Sequence, residues 1–236
     1  TARGNVRAGR AIVLAGEAYL SQLRKLRRHV IPMTSHMVVT EPLSPEIWAK
    51  IGWDRREVLG GFGTTGGYIQ HTADGRIAFG AYRARYPYNS KITDDLDRME
   101  DIFEHARIAA RTWFPDLRET AFTHAWGGVF GAPRDHMPTM GFNPRTGVAL
   151  AYGYTGEGVA TSNLSGRVLT DLITETDSPL TRLPMASHNP VVWEPEPLRS
   201  IGVNVVRQTR YFENEEVERT GEYPEWPKLV HKLVRR

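Results

Sequence analysis

The sequence predicts a mixed α/β fold (α+β in character) in which a strand–glycine turn–helix unit is combined with an antiparallel sheet. Three observations lead there. Val148-Ala149-Leu150-Ala151 is a short apolar strand that runs directly into Gly153–Ile173, GYTGEGVATSNLSGRVLTDLI, a glycine-punctuated turn followed by helical apolar spacing. Residues 59–82 alternate with period two between turn signals. Residues 93–113 change to the spacing of an amphipathic helix.

Taken in order, Ala11-Ile12-Val13-Leu14-Ala15-Gly16 is a continuous apolar run closed by glycine, which predicts a strand buried on both faces. Pro32 is expected to break the chain before an extended segment, Thr34–Thr40, and Ser44 to begin a short helix. Asp74-Gly75 between Tyr68–Thr72 and Arg76–Gly80 is a hairpin signal. Thr93 is placed to cap the next helix, with Asp94, Asp95 and Asp97 favouring its first turn, and Pro115 to end it. Phe122–Gly131, Met137–Met140 and Val148–Ala151 read as extended, the last two joined by a turn at Asn143–Gly147. After the helix of the glycine motif the chain becomes proline-rich around Trp193–Arg199, and the remaining residues predict surface helices or a docked tail.

Composition narrows the function classes. With 236 residues and 40% hydrophobic content the chain holds one large domain or two modest ones. A net charge of +3 does not call for nucleic acid, and the basic run Arg24–His29 (RKLRRH), without interleaved aromatics, reads as a solvated face. The absence of cysteine excludes thiol catalysis, Cys-ligated metals and a cysteinyl-linked cofactor. The eight His residues show no metal-ligand spacing, so no metal is expected. No run is long enough to span a bilayer and the N-terminal residues lack a signal-peptide core, which makes a cytoplasmic location the expectation.

In the glycine turn, Gly153, Gly156 and Gly158 permit positive φ and close approach of backbone to a ligand. The following helix aims its unpaired N–H groups and positive dipole end at the turn. The segment reads either as a seat for a flat or anionic cofactor or as plain punctuation between strand and helix. Asp135 and His136 form a compact acid–base pair that, with Ser162 or Ser165, suggests a hydrolase. No Gly-x-Ser-x-Gly elbow accompanies them, and an Asp135 that anchors its loop before Pro138 is the simpler reading.

Four stretches in this order, Ala11–Tyr19 (AIVLAGEAY), Ser35–Leu43 (SHMVVTEPL), Trp126–Gly141 (WGGVFGAPRDHMPTMG) and Gly153–Asp171, resemble the C-terminal two-thirds of FAD-dependent oxidoreductases of the D-amino-acid oxidase type. Sarcosine, glycine and γ-glutamylputrescine oxidases are of this type. The resemblance implies a partial FAD-binding Rossmann-like domain from residues 1–32 and 123–176, interleaved with an antiparallel-sheet substrate domain at 33–122 and followed by an extension at 177–236. It implies FAD, held without a cysteinyl link, near Ala15, Gly16, Gly153, Tyr154, Thr155, Gly156, Glu157, Gly158 and Val159, the turn lying beside the pyrimidine side of the ring.

It also implies a small-molecule amine or amino-acid substrate, whose C–N bond is oxidised to an imine, with Tyr68, Trp126 and Arg134 as candidate substrate contacts. Side-chain catalytic residues remain unassigned, because flavin oxidation demands mainly orientation and electrostatics from the protein. The family's amino-terminal GxGxxG segment has no counterpart here, and Gly60–Gly67 (GGFGTTGG) opens no helix. A portion preceding Thr1 that completes the flavin domain is therefore expected; the alternative is a non-catalytic chain of the same fold acting as a binding or interaction module. Arg134 either meets a substrate carboxylate or pairs with Asp135. Because Val129 and Phe130 follow Trp126-Gly127-Gly128, where amino-acid oxidising members often carry an arginine, amine and N-alkyl substrates are favoured.

Overall fold

Two apolar strands far apart in sequence meet in parallel, and this pairing organises the first part of the fold. In a computed structural model, which describes residues 4–60, 67–81, 84–186 and 188–234, β1 (Ile12–Leu14) lies beside β8 (Val148–Tyr152), with Ile12 opposite Val148 and Leu14 opposite Leu150. β7 (Thr139–Asn143) completes this three-stranded sheet, antiparallel to β8 and joined to it through the turn at Asn143–Gly147. Asn143 Oδ1 accepts from the Arg145 amide (3.0 Å), the local device that makes the turn. One face of the sheet is covered by α3 (Gly158–Thr174): Leu169 packs on Ala149 and Ala151, and Val168 on Met140.

The chain divides into two compact units. The first comprises Thr1–Met33, Pro87–Lys91 and Phe130–Arg199; the second comprises Thr34–Tyr86, Ile92–Val129 and Ser200–Arg236. Parallel neighbours need a long crossover, and here it is supplied by the excursion of the chain through the second unit between β1 and β8. Two continuous strands carry the chain from one unit to the other: β2 (Ile31–Thr40) and β6 (Phe122–Ala132). Pro32 does not break the chain as expected but lies within β2, since its fixed φ suits extended backbone and only its missing N–H is lost to pairing. β1 also departs from expectation. Ile12 and Val13, whose side chains point to opposite faces, are each 50% exposed, so among the described residues neither face covers the strand fully at these positions.

The second unit is a five-stranded sheet in the order β3-β4-β5-β2-β6, with β3 (Leu59–Gly60), β4 (Tyr68–His71) and β5 (Ile77–Ala81). The pairs β3–β4, β4–β5 and β5–β2 are antiparallel. Asp74-Gly75 makes the predicted hairpin, Gly75 taking a φ of 76°. Most of Gly60–Gly67 lies outside the described residues. Alternation sends Val38, Ile69, Ile77 and Phe79 to one face, where they bury against Ile102, Phe103, Ala106 and Ala110 of α2 (Glu100–Trp113). The capped helix α1 (Pro45–Ile51), whose Ser44 Oγ accepts from the Ile47 amide, closes the end of this core. α4 (Leu198–Thr220) and α5 (Trp226–Val234) form the C-terminal helices.

The helix expected from Thr93 is split. Asp94–Asp97 is a separate 3-10 turn, Thr93 makes no side-chain cap, and α2 begins only at Glu100. Tertiary contact overrides the local signal: buried His36 Nε2 donates to the Leu96 carbonyl (2.8 Å), using an oxygen that a continuous helix needs for its own ladder. Gly127 of β6 passes so close that a Cβ there lies 2.4 Å from His36 Cδ2.

His36 Nδ1 is buried without a partner, and burial pushes the imidazole pKa below its usual value of 6.5; the bond to Leu96 and the charge of Asp97 oppose this, while Arg85 adds to it. The folded state thus prefers neutral His36, so its contribution to stability is full above about pH 6.5 and declines as pH falls below it. Burial acts in the same direction on His29. The urea midpoint is expected to fall between about pH 7.5 and 5.5, and to fall less in His36→Gln, which keeps a donor for Leu96. Equal pH slopes in the two proteins contradict this account.

Candidate functional site

Glu17 follows the Ala15-Gly16 end of β1 and opens a 3-10 turn, Glu17–Gln22, with a φ of 47° that a non-glycine residue adopts only at a cost. Its carboxylate is what holds it there. Oε1 accepts from the backbone amides of Gly153 (3.0 Å) and Tyr154 (2.9 Å), and Oε2 accepts from the amide of Gly131. One side chain therefore ties the ends of β1, β6 and β8 together at the mouth of the glycine turn. The Thr155 amide adds a fourth strut by donating to the Gly131 carbonyl (3.2 Å).

The turn itself is left-handed at Gly153 (82°), Thr155 (51°) and Gly156 (97°). Gly153 has no alternative, since a Cβ there meets Pro133 Cγ at 2.5 Å on top of its positive φ. The Gly153 and Tyr154 amides are consumed by Glu17, and the Glu157 amide donates to the Tyr154 carbonyl (2.9 Å). The first amides of α3, at Gly158 and Val159, have no intrahelical acceptor. Gly156 is exposed with nothing within 4 Å of its Cβ position, and Val159 is 95% exposed. The turn thus presents an uncrowded edge of backbone N–H groups at the positive end of a 17-residue helix, beside one bare apolar side chain. This fits a flat ring with an anionic edge.

Of the remaining candidates, Tyr68 and Trp126 sit in the second unit. Ile69 and His71 face the helix-covered side of the sheet, so Tyr68 points to the other side, where its hydroxyl meets Ser35 Oγ (2.7 Å). Gly127 approaches His36 on the covered side, which turns its neighbour Trp126, 48% exposed, to the same face as Tyr68. Arg134 belongs to the first unit with Ala15, Gly16 and the turn. It does not pair with Asp135: its Nε lies 3.2 Å from Glu194 and its guanidinium 5.4 Å from the Trp193 ring.

Asp135 accepts from the Met137 amide (3.1 Å) and pairs with His188 Nε2 (2.8 Å), while His136 occupies a left-handed turn position. Ser162 and Ser165 donate to carbonyls of their own helix, at Val159 and Thr161. These groups form loop and helix anchors, not a nucleophile relay.

The comparisons with known proteins agree on one family. The family described as FAD dependent oxidoreductase (DAO) matches residues 1–172. The chain belongs to this family. It is 30% identical over 177 residues to the protein called "Probable oxidoreductase OrdL" of Rhizobium meliloti (strain 1021), a match over 73% of this chain and 37% of that protein. It is 28% identical over 178 residues to gamma-glutamylputrescine oxidoreductase of Escherichia coli (strain K12), covering 73% and 38%. The chain therefore spans less than two-fifths of the length of these relatives. Among solved structures, glycine oxidase from Geobacillus kaustophilus superposes with a TM-score of 0.59 at 19% identity, over 77% of this chain and 46% of that one. L-Proline dehydrogenase from P. horikoshii gives 0.58 at 18% identity, over 72% and 44%, and both establish the shared fold.

Removing the Glu17 carboxylate leaves three part-buried amides without their acceptor. Glu17→Ala is expected to cost about 3 kcal/mol in chemical denaturation and to speed hydrogen exchange at Gly131, Gly153 and Tyr154, with Glu17→Gln intermediate. Unchanged exchange at all three positions contradicts the role given to this residue.

Proposed function

We propose that this chain supplies the flavin-ring side of the FAD site, together with the substrate sheet, of an enzyme that oxidises the C–N bond of an amine, N-alkyl amine or amino acid. The observation that carries the proposal is the glycine turn that Glu17 anchors at Gly153 and Tyr154, leading into the uncapped N-terminus of α3 at Gly158 and Val159, in a chain of the FAD dependent oxidoreductase family. FAD, when bound, supplies the two-electron acceptor that converts the C–N bond to an imine, which water then hydrolyses. The chain's own task is placement. Ala15, Gly16 and Gly153–Val159 border the ring, and the helix-end dipole stabilises the negative charge that a reduced flavin gathers on its pyrimidine edge.

In this reading the sheet of residues 33–122 offers Tyr68 and Trp126 from one face to a small apolar amine. The pairing of Arg134 with Glu194 supports amines and N-alkyl amines over plain amino acids, whose carboxylate needs an available guanidinium. With no cysteine in the chain, its contacts to the flavin are non-cysteinyl. We further propose that the GxGxxG pyrophosphate-binding segment belongs to the part of the relatives' length that this chain does not span, and that the enzyme acts in the cytoplasm.

The full-length protein is expected to purify with a flavin absorbance that bleaches anaerobically on addition of a primary or secondary amine. Gly156→Val, which forces a β-branched residue into φ 97°, is expected to weaken FAD binding about tenfold or more while the second unit keeps its helix–sheet core. A colourless protein that gains no colour with added FAD, or a flavin that no amine or amino acid reduces, contradicts the proposal.

A further inference from the structure

The basic run Arg24–His29 is solvated, as its sequence suggests, with Arg24, Lys25, Arg27 and Arg28 all exposed, and it also borders a recess. Successive tight turns, with Leu26 N donating to the Leu23 carbonyl (2.8 Å) and His29 N to the Leu26 carbonyl (2.9 Å), fold the run back on itself. Arg24, Lys25, Arg27, Arg28, His29 and Val192 then line a recess of about 250 Å³. Its walls are fastened from several sides. Arg28 Nε donates to the Trp193 carbonyl (2.6 Å), whose own amide returns a bond to the Arg28 carbonyl (2.7 Å). Arg27 Nη2 donates to Asn89 Oδ1 (2.8 Å), buried Arg199 grips the Arg27 carbonyl (3.2 Å), and His29 Nδ1 meets the hydroxyl of buried Tyr152 (3.1 Å).

Among the described residues no carboxylate lines the recess. The acids brought near by the Trp193 segment are engaged elsewhere: Glu194 with Arg134, and Glu196 with Arg199 and the Asn89 amide. Four cationic side chains thus converge on one concavity, and Arg24 and Lys25 have no acidic partner among the described residues. Like charges gathered without a counter-charge raise one another's energy, and a bound polyanion relieves that cost.

We propose that this recess binds a compact phosphate-bearing anion of about the size of pyrophosphate. The volume lies below the range of about 300–1,000 Å³ typical for drug-sized ligands, which favours a small, highly charged group over a whole nucleotide. The concave shape and a lining without Phe, Tyr or Trp among the described residues count against a nucleic-acid strand, which needs a tracking groove and stacking platforms. Arginine suits the task because its planar donors meet phosphate oxygens two at a time. The site is built from other residues than the glycine turn and does not depend on flavin binding.

Calorimetric titration of the protein with inorganic pyrophosphate at low salt tests the assignment. Saturable one-to-one binding is expected, weakened about tenfold or more in the double variant Arg24→Ala, Lys25→Ala, whose two exposed side chains leave the melting curve unchanged. Gly156→Val is expected to leave pyrophosphate binding intact. Absence of saturable binding overturns the proposal, as does binding that survives the double variant or is abolished by Gly156→Val. Tighter binding of duplex DNA or of vesicles rich in anionic lipid, lost in the same double variant, also overturns it in favour of an extended polyanionic partner.

Discussion

The first unit depends on one carboxylate reaching three backbone amides. β1 ends at Leu14, β6 at Ala132 and β8 at Tyr152, and among the described residues no hydrogen-bond ladder links all three ends; Glu17, three residues beyond β1, does so through Gly131, Gly153 and Tyr154. A charged acceptor is suited to this because hydrogen bonds to an ionised group are roughly twice as strong as neutral ones. Their combined strength accounts for a non-glycine residue at φ 47° and for a turn with three left-handed positions in four residues. It also divides the amides of the turn between two tasks. Those of Gly153 and Tyr154 face inward to Glu17, and those at the start of α3 are left for a ligand.

Much of the fold was legible in the sequence because local and tertiary forces agree along most of the chain. The Asp74-Gly75 hairpin, the Asn143–Gly147 turn, the Ser44 cap and the α3 stripe each follow from residue chemistry that acts within a few positions. The departures arise where distant groups decide. The Leu96 carbonyl is claimed by His36, 60 residues away, and the expected Thr93 helix is split. β1 reads as a strand buried on both faces because Ile12, Val13 and Leu14 are apolar, yet Ile12 and Val13 are each half exposed, since among the described residues neither face is fully covered there.

The candidate site was legible in outline only. The glycines at 153, 156 and 158 and the helix behind them mark the turn that we propose as the seat, since their chemistry is written in nearby residues. Glu17 escaped because nothing local distinguishes an acid after Ala-Gly from a surface one; its partners lie 114 to 137 residues further on. Arg134 shows the converse case. Adjacency to Asp135 suggested a surface pair, and the fold instead joined it to Glu194 and Trp193, and Asp135 to His188. The Trp193 segment likewise bonds to Arg28 from 165 positions away, so the solvated charge run borders a recess that its sequence does not announce.

The chain belongs to the FAD dependent oxidoreductase family, and Glu17 shapes the backbone turn that we propose as the seat of the flavin ring. The direct measurement is the dissociation constant of FAD from the full-length protein, by fluorescence titration of the apoprotein, compared between wild type and Glu17→Ala. The account predicts affinity lower by about tenfold or more in the variant, the loss of one or two well-placed hydrogen bonds to the ring. An unchanged dissociation constant, in a variant whose Gly153 and Tyr154 amides exchange faster, would contradict it.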